Sequence, residues 1–198
     1  MTWVKLCGMT RRADVEAAAA LGADAVGFVV YEGSSRRIDL DTAAILGRGL
    51  ALERYLVTVD AAPDRLLADA ERAAVTGVQP HGKHAVEAAG VARRAGLTVL
   101  FPVPVRGEAV DLGGVPDHSI PILDTHDAGH GGTGRSFDWS LARDLRRPWV
   151  LAGGLGPGTV AEAVRLLEPW GVDVASGIEA APGVKDPDLM RAFLEAVR

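Results

Sequence analysis

Short apolar segments alternate with segments of helical period along the whole of this 198-residue chain. The apolar segments predict eight strands: Trp3–Cys7, Ala25–Val30, Arg54–Val59, Gly77–Gln79, Thr98–Val103, Ile120–Asp124, Trp149–Ala152 and Gly171–Ala175. Strands that alternate with helices favour parallel βαβ units, and a count of eight favours a closed barrel over an open, doubly wound sheet. We therefore expect an α/β fold in which residues 1–198 form a single (β/α)8 TIM barrel domain with short loops.

The segments between the predicted strands are rich in Ala, Leu, Arg and Glu and predict the helices of the barrel. Gly22 ends the first helix as a natural C′ residue, and Pro63 opens another in the first turn, where proline is favoured. The predicted helices are Arg11–Leu21, Asp39–Leu50, a helix starting at Pro63, His84–Gly96, Asp138–Leu145, Pro157–Glu168 and Asp186–Val197. The stretch Pro104–Asp117 is rich in Gly, Pro and Val, so we expect the fifth helix to be short or irregular.

Composition restricts the class of protein. With 48% hydrophobic residues, the chain can bury one sizeable core. No apolar run approaches the roughly 18 residues of a membrane-spanning helix, and the first residues lack a signal-peptide core, so we expect a cytoplasmic protein without a membrane partner. The formal charge of −5 comes with no basic stripe, which argues against a nucleic-acid partner. Cys7 is the single cysteine, which excludes an internal disulfide and fits a reducing compartment.

A glycine-rich stretch, Asp127–Trp139, begins three residues after Asp124, the last residue of a predicted strand. Glycines at positions 129, 131, 132 and 134 give it a backbone that bends sharply and presents N–H groups to an anion. A carboxylate at a strand end, followed by such a loop, indicates an acid beneath a lid over a phosphorylated ligand. The alternative is that Asp124 only caps the following loop through an Asx-type hydrogen bond.

Catalytic side chains of a (β/α)8 barrel lie at the C-terminal ends of its strands, and Cys7 occupies that place on the first strand. Strand alternation puts Lys5 on the same inward face, while Val4 and Leu6 face the helices. A Lys ammonium beside a thiol favours the thiolate, so we expect Cys7 to be a usable base near neutral pH. The alternative is an inert, buried cysteine. Because the sixth strand lies across the barrel from the first, Cys7 and Asp124 together fit proton transfer at two atoms of one substrate.

Two further glycine sites follow the seventh and eighth predicted strands, at Gly153-Gly154 and at Ser176-Gly177. In such barrels the loops after these strands frequently form a phosphate site from backbone N–H groups and a helix N-terminus. Two glycine sites in these two places therefore predict a phosphorylated substrate. The alternative is that they serve only the geometry of tight βα turns.

Other candidate binding residues lie in the loops after the second and fourth strands. The guanidinium of Arg36 suits a substrate carboxylate. Arg37 adjoins it, so we expect at least one of the two to be a solvated surface charge. His81 is in position to contact a ligand, although a lone loop histidine is more often structural. The histidines near positions 81–84 and 126–130 lack the spacing of metal ligands, and we expect no metal site.

Taken together, these segments resemble the phosphoribosylanthranilate isomerases, barrel enzymes of tryptophan biosynthesis. The resemblance runs over nearly the whole chain, and it rests on the order and spacing of several motifs rather than on any one of them. The matching segments are Val4–Thr10, Gly22–Val29, Gly77–Gln79, His81-Gly82, Leu123–Thr125, Gly131–Gly134, Phe137–Trp139, Leu151–Leu155, Asp173–Glu179 and Pro182–Asp186.

The resemblance implies an Amadori rearrangement that converts phosphoribosylanthranilate to the open-chain carboxyphenylamino-deoxyribulose phosphate. Cys7 matches the general base that removes the C2′ proton, and Asp124 matches the general acid that protonates the furanose ring oxygen. No cofactor is implied, because only protons move. The expected partner is this small-molecule substrate, and the expected assembly is a monomer or a homodimer.

The resemblance also assigns the substrate contacts. Arg36 matches the arginine that holds the anthranilate carboxylate, and Asp173 matches an aspartate near the substrate. The loops at Gly153-Gly154 and Ser176-Gly177 match the phosphate cradle. The remaining residues that we expect at the substrate are Gln79, His81 and Gly132.

Three places depart from the usual pattern of the family. Ser35 stands where proline is common, Pro80 replaces a leucine and removes a backbone donor near the expected pocket wall, and Phe101-Pro102 replaces a Lys-Ala pair. We expect these changes to affect affinity and pocket shape. Two other functions stay open from the sequence: a different phosphosugar isomerase or epimerase on the same barrel, or a non-catalytic barrel that binds an anion.

Overall fold

The computed structural model describes residues 1–105, 110–125, 142 and 145–198. Eight parallel strands close into a barrel in the order of the sequence, which confirms the predicted fold. The strands are β1 (Trp3–Leu6), β2 (Ala25–Val29), β3 (Glu53–Val59), β4 (Gly77–His81), β5 (Thr98–Val105), β6 (Ile120–Thr125), β7 (Val150–Leu151) and β8 (Gly171–Val174). β8 pairs with β1 and closes the ring.

Helices surround the barrel. They are α1 (Arg12–Leu21), α2 (Leu40–Gly47), α3 (Pro63–Arg72), α4 (Ala85–Arg94), α5 (Val160–Leu167) and α6 (Pro187–Val197). Gly22 ends α1 with φ 81°, and Pro63 lies in the first turn of α3, both as predicted. Of the helix predicted at 138–145, only positions 142 and 145 lie within the described residues. Among the helices of the described ranges, none has the length and hydropathy to cross a membrane.

The connection between β5 and β6 is irregular where the structure describes it. Residues 110–119 form turns, and no helix occurs within them. Gly113, Gly114 and Pro116 disfavour a helix here, as expected. β5 itself runs to Val105, two residues beyond the predicted end, because its backbone pairs with β6 as far as Thr125.

A short hairpin follows β8 and was not predicted. After a 3-10 turn at Ser176–Ile178, β9 (Glu179–Ala181) pairs antiparallel with β10 (Val184–Lys185). The turn between the two strands includes Gly183, whose φ of 80° favours glycine. Strands of three and two residues are too short to show an alternating pattern, so no periodic signal predicts them.

The apolar core has two layers. The larger layer lies between the strands and the helices and includes Val4 and Leu6, which confirms their predicted outward direction. The smaller layer fills the inside of the barrel and consists of Ala25, Tyr55, Leu100, Ile122, Val150 and Ala152. Side chains alternate along each strand, so the inward positions beyond this inner layer are left for polar residues at the C-terminal rim.

Candidate active site

A cavity of about 820 Å³ opens at the C-terminal ends of the barrel strands. This volume lies within the usual range for small-molecule sites, roughly 300–1,000 Å³. The predicted site residues that line it are Arg36, His81, Asp124, Gly153, Gly154, Asp173 and Ser176. The loops after β2, β7 and β8 and the β9–β10 hairpin supply most of the wall. The fold therefore brings most of the sequence-predicted residues to one place.

Asp124 lies in β6 with its backbone opposite Pro104 of β5. Two residues earlier, Ile122 belongs to the layer inside the barrel, so alternation directs the Asp124 side chain inward. Asp124 also lines the cavity. The predicted glycine lid at 127–139, including Gly132, lies outside the described residues.

Cys7 follows directly after β1, and its backbone N–H donates to the carbonyl of Val174 at 2.8 Å. The residue is 8% exposed. Among the described residues that line the cavity, Val174 is included and Cys7 is not. An added Cβ on Gly27 would meet its Sγ at 2.6 Å, which shows how closely β2 packs against the thiol.

The electrostatics of Cys7 correct one expectation. Burial raises the pKa of the Cys7 thiol above its ordinary value, and Asp173 raises it further, although Lys5 and Lys185 both act to lower it. Lys5 does act to lower the pKa of the thiol, as predicted, but its effect is smaller than the opposing effect of burial, which is the loss of hydration. In addition, the Lys5 ammonium is already matched by the Asp173 carboxylate, 2.8 Å away. In the unliganded protein the neutral thiol is therefore the favoured form.

A polar network lies inside the barrel below the cavity. Lys5 has no exposed surface, and its Nζ donates to Oδ1 of Asp173 at 2.8 Å and to Oε1 of Gln79 at 3.1 Å. The amide nitrogen of Gln79 lies 3.2 Å from Nε2 of His81, which reaches the cavity wall. Gln79 is buried in this network, so the structure places it behind Asp173 and His81.

The guanidinium of Arg36 makes a two-pronged ion pair with Glu179. Nε and Nη2 of Arg36 donate to the two carboxylate oxygens at 2.8 and 2.7 Å. The stem of Arg36 crosses over Gly8, where an added Cβ would lie 2.5 Å from its Cδ. The neighbouring Arg37 side chain is 48% exposed and lies 3.6 Å from Glu32, which confirms it as the solvated member of the pair.

The sequence predicted no role for Glu179 and Lys185. In the structure these two residues form a largely buried charged cluster with Arg36. The Lys185 ammonium has no exposed surface and donates to Glu179 at 2.8 Å and to the carbonyl of Ala175 at 2.9 Å. Burial favours a higher pKa for Glu179, but its pKa is lowered because Arg36 and Lys185 both donate to the carboxylate. The available signal was the pair of charged residues flanking the Pro182-Gly183 turn.

The two predicted phosphate loops meet at the cavity. Gly153 and Gly154 have φ values of 85° and 67°, a conformation that disfavours other residues. Gly177 packs against the other loop, because an added Cβ would overlap the carbonyl oxygen of Leu155. Ser176 begins the 3-10 turn and lines the cavity. The glycines therefore allow both the positive φ values of one loop and the close packing of the two loops.

The departures from the family pattern lie on different faces. Ser35 lines the cavity. Phe101 belongs to the layer between strands and helices, and Pro80 alternates with the outward-facing Val78. The side chains of Pro80 and Phe101 therefore face away from the inside of the barrel, whereas Pro102 shares the inward direction of Leu100. An effect of these changes on affinity and pocket shape stays a prediction.

A closed parallel barrel with an acid, an arginine and two glycine loops at its C-terminal rim defines a (β/α)8-barrel enzyme for a small anionic substrate. The sequence pattern of the family described as N-(5'phosphoribosyl)anthranilate (PRA) isomerase matches residues 4–196. The chain therefore belongs to this family. Among the residues that the structure describes, no group of three or more His, Cys, Asp or Glu could hold a metal ion.

Individual relatives agree. The N-(5'-phosphoribosyl)anthranilate isomerase of Myxococcus xanthus is 44% identical over 206 residues, covering 98% of this chain and 95% of the relative. A structure of monomers of the dimeric enzyme from Thermotoga maritima is 35% identical, with a TM-score of 0.86, covering 100% of this chain and 98% of that one. Another isomerase, in complex with reduced 1-(o-carboxyphenylamino)-1-deoxyribulose 5-phosphate, has 34% identity and a TM-score of 0.84 over 100% and 98% of the two chains.

Proposed function

We propose that this chain catalyses the isomerisation of N-(5'-phosphoribosyl)anthranilate to 1-(2-carboxyphenylamino)-1-deoxyribulose 5-phosphate, a step of tryptophan biosynthesis. Its family membership over residues 4–196 supports this reaction. The relative that was solved with the reduced form of the proposed product has the same fold over the whole of this chain. The observation that carries the assignment is that residues matching the family motifs gather around one cavity.

The chemistry is an Amadori rearrangement. Asp124 donates a proton to the furanose ring oxygen, the C1′–O bond breaks, and the anilino nitrogen's lone pair forms a Schiff base at C1′. The Cys7 thiolate then removes the C2′ proton, which leaves an enolamine that tautomerises to the aminoketone. C2′ is oxidised as C1′ is reduced, so the electrons stay within the substrate and no external oxidant or reductant takes part.

Binding uses both ends of the substrate. The phosphate lies at the backbone N–H groups of Gly153-Gly154 and Ser176-Gly177, where the loops after β7 and β8 meet. The anthranilate carboxylate contacts the side of the Arg36 guanidinium that faces the cavity. Asp173 and His81 lie on the wall between these two ends, with Gln79 supporting His81 from behind.

We propose that the active protein is cytoplasmic and that it is a monomer or a homodimer. The single cysteine, which fits a reducing compartment, supports this location. The Thermotoga maritima relative is described as dimeric, which supports a dimer as one of the two forms. Size-exclusion chromatography with light scattering distinguishes them, and a higher oligomer would contradict both.

The direct test is the loss of fluorescence of freshly prepared phosphoribosylanthranilate on adding the pure protein. We expect a rate that is proportional to protein concentration and far above the spontaneous loss. No acceleration, together with turnover of another aldose or ketose phosphate, would establish a different sugar-phosphate isomerase. Binding of the substrate in calorimetry with no turnover would establish a non-catalytic barrel instead.

A further inference from the structure

Among the residues that the structure describes, three cations and two carboxylates form a charged cluster that includes the neighbourhood of Cys7. Lys5 and Asp173 lie on β1 and β8 at the same register position, and they form the 2.8 Å ion pair inside the barrel. On the other side, Glu179 accepts from Arg36 and from Lys185 at once. Among these five described groups each carboxylate neutralises one cation, and one positive charge is left over.

Several contacts place this extra charge beside the thiol. The backbone N–H of Cys7 donates to the carbonyl of Val174, while the Lys185 ammonium donates to the carbonyl of the next residue, Ala175. The stem of Arg36 crosses over Gly8, the residue that follows Cys7. Lys185 and Arg36 both interact electrostatically with Cys7, and the Glu179 carboxylate bonds both cations.

The hairpin that carries Glu179 and Lys185 is itself anchored to the chain next to Cys7. The Thr10 hydroxyl donates to the carbonyl of Gly183, and the N–H of Lys185 donates to Asp14 at 3.2 Å. Arg11 bonds both Asp14 and the carbonyl of Lys185. These contacts hold the positions of the two charges, and they connect the hairpin to the segment that follows β1.

We propose that Glu179 and Lys185 are positioning residues for the reaction: Glu179 orients the Arg36 guanidinium, and Lys185 supplies the unmatched positive charge that the Cys7 thiolate balances. Formation of the thiolate makes the cluster neutral, which lowers the cost of an anion in a buried place. Since two cations hold Glu179, its carboxylate stays ionised while one edge of Arg36 remains available to the substrate. The substrate part of this proposal rests on the proposed function; the charge part does not.

The test uses the single cysteine of this 198-residue chain as a reporter. The rate of Cys7 alkylation by iodoacetamide is measured against pH by mass spectrometry, without substrate, because only the thiolate reacts. Lys185→Met removes a cation and moves the midpoint to higher pH, by about one unit, so alkylation at a fixed lower pH falls roughly tenfold. Glu179→Gln removes an anion and moves the midpoint to lower pH.

Opposite shifts separate an electrostatic role from simple loss of structure. The double variant Lys185→Met/Glu179→Gln restores one unmatched positive charge, so its midpoint returns towards that of the parent protein. Lys185→Arg keeps the charge and keeps the midpoint. Lys83→Met, at an exposed lysine, serves as the matched control and leaves the midpoint unchanged. Circular dichroism and urea unfolding report whether each variant is folded.

Steady-state kinetics then test the link to the substrate. Glu179→Gln raises KM for phosphoribosylanthranilate because Arg36 loses its orientation, and the double variant keeps this raised KM although its alkylation midpoint is restored. Lys185→Met lowers kcat more than it raises KM. The proposal is overturned if the alkylation midpoints of both single variants move in the same direction, or if neither midpoint moves. If Lys185→Met fails to fold, Glu179→Gln alone still tests the proposal, because its midpoint must move to lower pH. If the parent protein does not isomerise this substrate, the alkylation results still decide the charge assignment.

Discussion

The ammonium of Lys5 lies 2.8 Å from the carboxylate of Asp173 inside the barrel, and the lysine has no exposed surface. Burial by itself would lower the pKa of Lys5, but Asp173 and Cys7 outweigh it and the pKa is raised. Lys5 is therefore charged at neutral pH. Lys5 lies on the same inner face of the barrel as Cys7, the proposed base. This ion pair is therefore part of the buried interior and also a neighbour of the candidate active site.

Breaking this pair should be costly for stability. Lys5→Met leaves the Asp173 carboxylate buried without its cation, and we expect the free energy of unfolding to fall by about 3–5 kcal/mol. Urea unfolding measures this change. Lys5→Met/Asp173→Asn removes both charges and should recover part of the loss. A double variant less stable than Lys5→Met would show that the pair is not the cause.

The proposed base and acid should each be needed for turnover. Cys7→Ser and Asp124→Asn keep the size of the side chain and remove its acid–base function, so we expect kcat to fall at least about a hundredfold in each. The fluorescence assay measures kcat, and circular dichroism checks that the fold is kept. Near-normal turnover in either variant would remove that residue from its assigned role.

The pKa of Cys7 gives a pH prediction that needs no substrate. Because burial raises the thiol pKa in the folded protein, the midpoint of Cys7 alkylation should lie at higher pH than in the same protein unfolded in urea. Below the midpoint the rate should rise tenfold per pH unit, as the thiolate fraction does. A folded-state midpoint at or below that of the unfolded chain would show that Lys5 and Lys185 prevail over burial.

Arg36 and Arg37 provide a matched pair of neighbours. Arg36→Met removes the proposed contact with the substrate carboxylate, and we expect KM to rise roughly tenfold to a hundredfold, the equivalent of one hydrogen bond to a charged group. Arg37→Met removes an exposed charge and should leave KM unchanged. Steady-state kinetics on the two purified variants compares them directly. Equal effects in the two variants would argue against a specific carboxylate contact.

The close approach of the two phosphate loops is open to a similar test. An alanine at position 177 would overlap the carbonyl of Leu155, so Gly177→Ala should push the loops apart, raise KM and destabilise the fold by about 1–3 kcal/mol. Gly158→Ala is the control, because nothing lies within 4 Å of an added Cβ there. Kinetics and urea unfolding together measure both effects. If the two variants behave alike, the loops do not need this contact.

The sequence predicted those features that depend on local pattern. Alternation along the first strand placed Lys5 and Cys7 on the inner face and Leu6 on the outer one, as the structure has them. The glycine sites after the last two strands predicted loops of unusual backbone conformation, and Gly153 and Gly154 both have positive φ. Both features can be predicted from a single sequence because strand periodicity and positive φ depend on only a few neighbouring residues.

Local sequence patterns were thus enough to predict the barrel and the inward set of candidate residues. The ion pair between Glu179 and Arg36 became visible only in the folded protein, since these two residues are 143 positions apart and no periodic pattern joins them. The tertiary structure also decided the direction of the Cys7 pKa, because burial and the partners of each charge exist only once the ring has closed. The pairing of charged side chains and their desolvation arise only in the folded barrel, and local sequence patterns do not predict them.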